Sequence, residues 1–223
     1  MRVINIKIFN HHWPYNVFFV VLLLYCTSLI AMQNYETDSR LIENAQQQQD
    51  KLIESYGLSQ YQPWLDKCQT LINILELQQF ERCLIIKATF ANAYSLAHGS
   101  VILTEGLLQN INNDDQLAHV LVHEHAHLHL KHHQQAQQLI NNPPKLFTKS
   151  RIKKFYRRIE QQADLTADDE LIKQQRDPLQ IHHYLLRIEK NTKEHSNDHQ
   201  KLKHRIQRNN LPVEVIEAFW GSE

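Results

Sequence analysis

The feature that most constrains the fold is a segment near the middle of the chain, residues 115–138, which is apolar on nearly every side and rich in histidine. An α-helix is predicted here, because residues 112–115 supply N-cap side chains and no glycine or proline follows until residue 143. A helix that is apolar all round must be buried by the rest of the chain. Its polar side chains then need partners, and a metal ion is a natural partner for histidines.

This helix contains the motif HExxH, formed by His123, Glu124 and His127. Residues four apart are separated by about 400° on a helix, so both histidines lie on one face and can share one Zn²⁺. Glu124 is close enough to take a proton from a water in the open zinc position. A histidine-rich tract that only buffers metal is the alternative, because His125 and His129 are also four apart. Of the two pairs, only His123 and His127 have a glutamate directly after the first histidine.

A catalytic zinc needs a third protein ligand, and the segment RRIEQQADLTADD offers one. Glu160 and Asp164 are four apart, and Ala163 with its apolar neighbours indicates that this helical face points inward. Glu160 could therefore bind zinc, while Asp164 could accept the distal N–H of a ligand histidine. The alternative is a solvated helix face without a ligand.

The rest of the chain predicts an α+β fold, with helices around a small sheet. Cys68 and Cys83 are the two cysteines that follow residue 31. The sequence is compatible with a disulfide between them and with two buried free thiols. Besides the 115–138 helix, the apolar spacing predicts helices over 35–56, from Pro63, over 150–175 and from 178 to 190, and strands over 83–90 and 101–103.

The N-terminus has the pattern of a secretory signal peptide, since Arg2 and Lys7 precede an apolar run over residues 17–31. The run is about 15 residues, short of the roughly 20 that span a bilayer, although an uncleaved anchor is the alternative. We therefore expect a leader over 1–31 and one domain over 32–223. Export implies an oxidising compartment.

The overall charge is balanced, with 24 basic and 24 acidic residues. This balance gives no reason to expect a general attraction to nucleic acid or to anionic lipid. Membrane contact is therefore expected only through residues 17–31, if they are retained.

From Asn92 to Arg205 the chain resembles the zinc endopeptidases that include the CAAX prenyl endopeptidases and the bacterial HtpX-type and BepA-type proteases. That family pairs HExxH with a downstream ExxxD, here EQQAD, in which Gln162 replaces the usual middle acid. The stretch NAYSLAHGSVILTEGLL resembles the family segment ahead of the metal helix, although Ala97 and His98 replace Pro-Gly. The soluble, exported branch is the closer match.

The resemblance implies a gluzincin-type zincin domain with one Zn²⁺, whose small sheet borders the active-site cleft. Ser100, Val101, Ile102 and Leu103 would form the edge strand that binds an extended substrate. His199 would sit beside the zinc as a transition-state helper, with His195 as the alternative. If His199 instead held the open zinc position at rest, the enzyme would be latent.

The function implied is zinc-dependent endopeptidase activity in the periplasm or outside the cell. Unfolded or misfolded envelope proteins are the expected substrates, with envelope assembly factors as possible partners and no role for nucleic acid. The competing function is an exported zinc-binding or chaperone-like module with little or no turnover. Glu124 argues against that module, because metal binding alone does not need a general base.

Overall fold

The computed structural model describes residues 39–146 and 148–191. The chain divides into two compact units between Arg40 and Leu41, and every described element from residue 41 onward belongs to the second unit. The expected boundary at residue 31 lies outside the described residues. The described helices are α1 (39–56), α2 (Gln62–Ile74), α3 (Glu105–Leu108), α4 (Asp114–His129), α5 (His132–Asn141), α6 (Thr148–Lys173) and α7 (Gln180–Asn191).

Three short strands form one sheet in the order β1-β3-β2: β1 (Arg82–Ile86), β2 (Ala93–Ser95) and β3 (Ser100–Thr104). Strand β3 pairs parallel with β1 and antiparallel with β2. The predicted α+β class is therefore confirmed, as a mostly helical chain with a small sheet. The strand predicted over 83–90 ends at residue 86, and β2 was not predicted.

The prediction that Ser100, Val101, Ile102 and Leu103 form an edge strand is wrong. They lie in β3, which is central because it is paired on both sides and buried along its whole length. The outer edge of β1 is also partly covered, since Ser59 N–H donates to the Ile85 carbonyl at 2.8 Å. The outer edge of β2 faces α4, since Ser95 N–H donates to Glu124 of that helix at 2.9 Å.

Helix α4 begins at an N-cap, where the Asn113 side chain accepts from Gln116 N–H at 3.0 Å. The single helix predicted over 115–138 is in fact two helices, because the chain breaks between His129 and His132. Lys131 adopts a left-handed conformation with φ 55° at this break. No glycine or proline marks the break, which is why the sequence did not reveal it.

Both faces of the sheet are covered by helices. Alternate residues of β3 point to opposite sides, as expected for a strand: Val101 and Leu103 join the main core, whereas Ile102 packs in a smaller cluster with Ala45 of α1. The main core joins α2, α4, α6 and α7 through fully or nearly fully buried side chains: Leu71, Ile72, Leu117, Leu121, Ala167, Leu171 and Tyr184.

A disulfide joins Cys68 of α2 to Cys83 of β1. Of the two states that the sequence left open, the structure thus has the bridge rather than free thiols. It fixes the first helix of the core to the edge of the sheet. Among the helices of residues 39–146 and 148–191, none is both long enough and apolar enough to cross a bilayer.

Candidate metal centre

Two histidine side chains of α4 point to the same place. His123 and His127 lie one turn apart, and their Nε2 atoms are 3.2 Å from each other. Two ligands at 2.0–2.1 Å from a tetrahedral zinc ion are separated by about 3.3 Å. The spacing of the two nitrogens therefore fits a single shared ion.

A carboxylate from α6 completes this group. Glu160 lies with Oε2 3.6 Å from His123 Nε2 and Oε1 3.6 Å from His127 Nε2. All three residues are buried, and their donor atoms lie within 4.8 Å of one another. No other set of three His, Cys, Asp or Glu residues in the described chain is arranged in this way. Two imidazoles and one carboxylate are a common ligand set for catalytic zinc, so the residues fit the ion.

The remaining ring nitrogens of both histidines have partners. His123 Nδ1 lies 2.9 Å from Oδ1 of Asp164, and His127 Nδ1 lies 3.1 Å from Nδ1 of His132. With Nε2 directed at a metal, each Nδ1 carries the proton and donates it to that partner. Partners of this kind fix the tautomer and ring orientation of metal-binding histidines. Asp164 thus lies beside a ligand histidine, as the sequence predicted. His132 is a second such partner, which the sequence did not predict.

Burial keeps the imidazoles of His127 and His132 neutral near pH 7. It lowers the pKa of His127 to about 3, an effect that the neighbouring His123 reinforces and that Glu124 and Glu160 oppose. Burial also lowers the pKa of His132 to about 4. Neutral imidazole is the form that binds a metal ion.

Glu124 is held by the edge strand. The backbone N–H and the Oγ–H of Ser95, the last residue of β2, both donate to Glu124 Oε2 at 2.9 Å. His133 Nε2 lies 3.5 Å from Ser95 Oγ, next to this pair. Sequence reasoning assigned no role to Ser95, His132 or His133. Ser95 does lie in the stretch NAYS that carried the family resemblance, so a signal for it was present.

The alternative histidine pair, His125 and His129, lies apart from this group. The rings of His125 and His129 stack on each other with centroids 6.2 Å apart, and His125 also meets Phe80 edge-on. Neither histidine belongs to the three-donor group. His199 and His195 lie outside the described residues, so their role stays a prediction.

A buried helix that carries two histidines and a glutamate, with a second helix supplying another carboxylate, has the ligand pattern of a catalytic zinc site. Residues 62–148 match the family model of peptidase family M48, and this match supports the M48 zinc metallopeptidase family for this part of the chain. The match includes His123, Glu124 and His127 but ends before Glu160, whose place rests on the geometry above. A search of curated proteins finds no match to the chain.

Proposed function

We propose that this protein is a zinc-dependent endopeptidase that hydrolyses peptide bonds in exported, misfolded or envelope proteins. The observation that carries the proposal is the convergence of His123, His127 and Glu160, with Glu124 beside them on the same helix. In this proposal the three converging residues hold one Zn²⁺, and Asp164 and His132 orient the two histidines.

The chemistry then divides between the ion and the chain. A bound Zn²⁺ supplies a Lewis acid that polarises the scissile carbonyl and makes a water acidic near neutral pH. Glu124 takes the proton of the attacking water and later returns it to the leaving amine. Ser95 positions Glu124, because its backbone N–H and its Oγ–H both donate to the same carboxylate oxygen, Oε2.

The position of β2 at the end of the described sheet, beside Glu124, supports an extended polypeptide as the substrate. Main-chain hydrogen bonds to a strand edge bind extended segments with little dependence on sequence, and unfolded chains offer many such segments. The disulfide between Cys68 and Cys83 supports an oxidising compartment and hence export. Misfolded envelope proteins are the substrates that satisfy both conditions.

The first experiment compares cleavage of unfolded casein by the purified protein and by Glu124→Gln, with zinc content measured for both. We expect Glu124→Gln to keep its zinc and to lose on the order of 10²–10⁴-fold in turnover, because only the general base is removed. Glu160→Gln should lose zinc as well as activity. Glu170→Gln, on the same helix but outside the metal-binding group, should keep both.

Equal turnover by the wild type and Glu124→Gln would refute the proposed mechanism. Zinc binding without any cleavage by the wild type would favour the competing zinc-binding or chaperone-like module.

A further inference from the structure

The zero net charge of this chain conceals a strong local concentration of positive charge. Residues 145–158 contain seven lysines and arginines and no acidic residue. The structure describes this segment apart from residue 147, as the turn before α6 and the first three turns of that helix. All seven cations are exposed. We call these exposed side chains of residues 145–146 and 148–158 the basic surface.

The cations of the basic surface have no anionic partner in the described chain. Three other lysines and arginines of the described chain do form ion pairs, and all three pairs lie outside the basic surface: Lys67–Asp114, Lys173–Glu170 and Arg176–Asp115. Within the basic surface, Lys149 and Lys153 are four residues apart, as are Lys154 and Arg158, so like charges face each other and repel. An external anion would relieve this repulsion.

Apolar side chains lie among the cations. Leu146 is 69% exposed and Tyr156 is 41% exposed. Phe155 is half-buried, and the Arg158 guanidinium lies 5.3 Å from the centre of its ring. A bilayer interface accommodates both kinds of group, since headgroup phosphates take the cations and the acyl boundary takes the apolar side chains.

We propose that the basic surface docks this protein on a membrane rich in anionic phospholipid. A cluster of this size on one helix is the charge pattern that recognises such headgroups. Arg158 precedes Glu160 by two residues on α6, so the basic surface ends next to the helix turn that carries the metal-binding carboxylate. This proposal stands on charge and exposure, and it does not depend on peptidase activity.

The test measures binding of the full chain to vesicles of phosphatidylcholine, with and without phosphatidylglycerol. The triple variant Lys149→Gln, Lys153→Gln, Lys154→Gln removes three charges from the basic surface. A matched control, Lys51→Gln, Lys67→Gln, Lys87→Gln, removes three exposed lysines elsewhere. Binding through the apolar residues 17–31 does not require lipid charge, so the difference between the two vesicle types isolates the electrostatic contribution.

We expect the wild type and the control to prefer vesicles with phosphatidylglycerol, and the preference to weaken as salt is added. The basic-surface variant should lose on the order of 100-fold in affinity for these vesicles. Circular dichroism should show both variants folded. Wild type that binds the two vesicle types equally, or a basic-surface variant that binds like the control, would overturn the proposal. Binding of both proteins to an acidic polypeptide is measured as well. If the basic-surface variant loses binding to the polypeptide but still binds the vesicles like the control, the proposal is also overturned, because the partner would then be a protein.

Discussion

His132 is the residue whose role depends most on tertiary structure. Its Nδ1 is the atom that faces Nδ1 of His127, and both side chains are buried. Without an acceptor there, the N–H of a zinc-bound His127 would be buried with no partner, which is costly. Only a contact between two helices creates this pair, so no periodicity in the sequence could have revealed it.

We therefore expect His132→Ala to weaken zinc binding by roughly 10–100-fold. His132→Asn should recover part of this loss, because its side-chain carbonyl can accept the same N–H. Competition with a chelating dye measures the affinity directly. His129→Ala, an exposed histidine on α4, is the matched control. Equal zinc affinity in His132→Ala and His129→Ala would contradict the assigned role.

Ser95 should affect turnover rather than metal binding. Ser95→Ala removes the Oγ–H that donates to Glu124 and leaves the backbone donor in place. We expect kcat to fall by about tenfold, since a hydrogen bond to a charged group is lost. Zinc affinity and KM should not change, and Ser95→Thr should restore kcat. An unchanged kcat in Ser95→Ala would show that the backbone N–H alone positions Glu124.

At the scale of elements, helices were easier to predict than strands or breaks. The spacing of apolar residues placed α2, α4 and α6, and with them His123, His127, Glu160 and Asp164 on inward faces. Strand β2 has only three residues and has its place only through pairing with β3, so no local pattern indicates it. The order of the strands is likewise a tertiary property, which is why the predicted edge strand proved central.

Burial of histidines on α4 and α5 should make the metal-free protein sensitive to acid. Burial lowers the pKa of His125 to about 4, compared with 6.5 for an ordinary histidine, as it does for His132. As pH falls below 6.5, the unfolded chain binds protons that the folded chain excludes. The free energy of unfolding should therefore decrease between about pH 6.5 and pH 4.

Urea unfolding of chelator-treated protein at about pH 7, 6 and 5 measures this decrease. His125→Leu should show a smaller decrease, because one buried titrating group is removed. Its stability near pH 7 should not fall, since His125 Nε2 is buried without a hydrogen-bond partner in the described chain. An identical pH dependence in His125→Leu and wild type would contradict this explanation.

At the scale of the whole molecule, the disulfide is the covalent link between two layers of the core. It joins residues 15 apart in the sequence, one on α2 and one on β1. The two cysteines left one possible pairing, but their distance in space could not be known before the helix and sheet were packed together. Closing a loop of this length stabilises a protein by about 3 kcal/mol.

We therefore expect the double variant Cys68→Ala, Cys83→Ala to lose about 3 kcal/mol of unfolding free energy, measured in urea. Replacing the cysteines with the smaller alanine lowers the unfolding free energy further. Comparing the double variant with reduced wild type separates this contribution from that of the disulfide. Reductant should destabilise the wild type and leave the double variant unchanged. If reductant has no effect on the wild type, the bridge does not contribute to stability.

The break at Lys131 makes the contact between His127 and His132 depend on the length of the connection between α4 and α5. A straight α4 would carry His132 about 140° round the helix from His127, beyond contact, and only the left-handed residue between the two helices turns it back. The number of residues between these two histidines therefore matters more than which residues they are. Substitutions of exposed side chains in this connection should be tolerated, while the insertion or deletion of a single residue would separate the pair as effectively as removing His132.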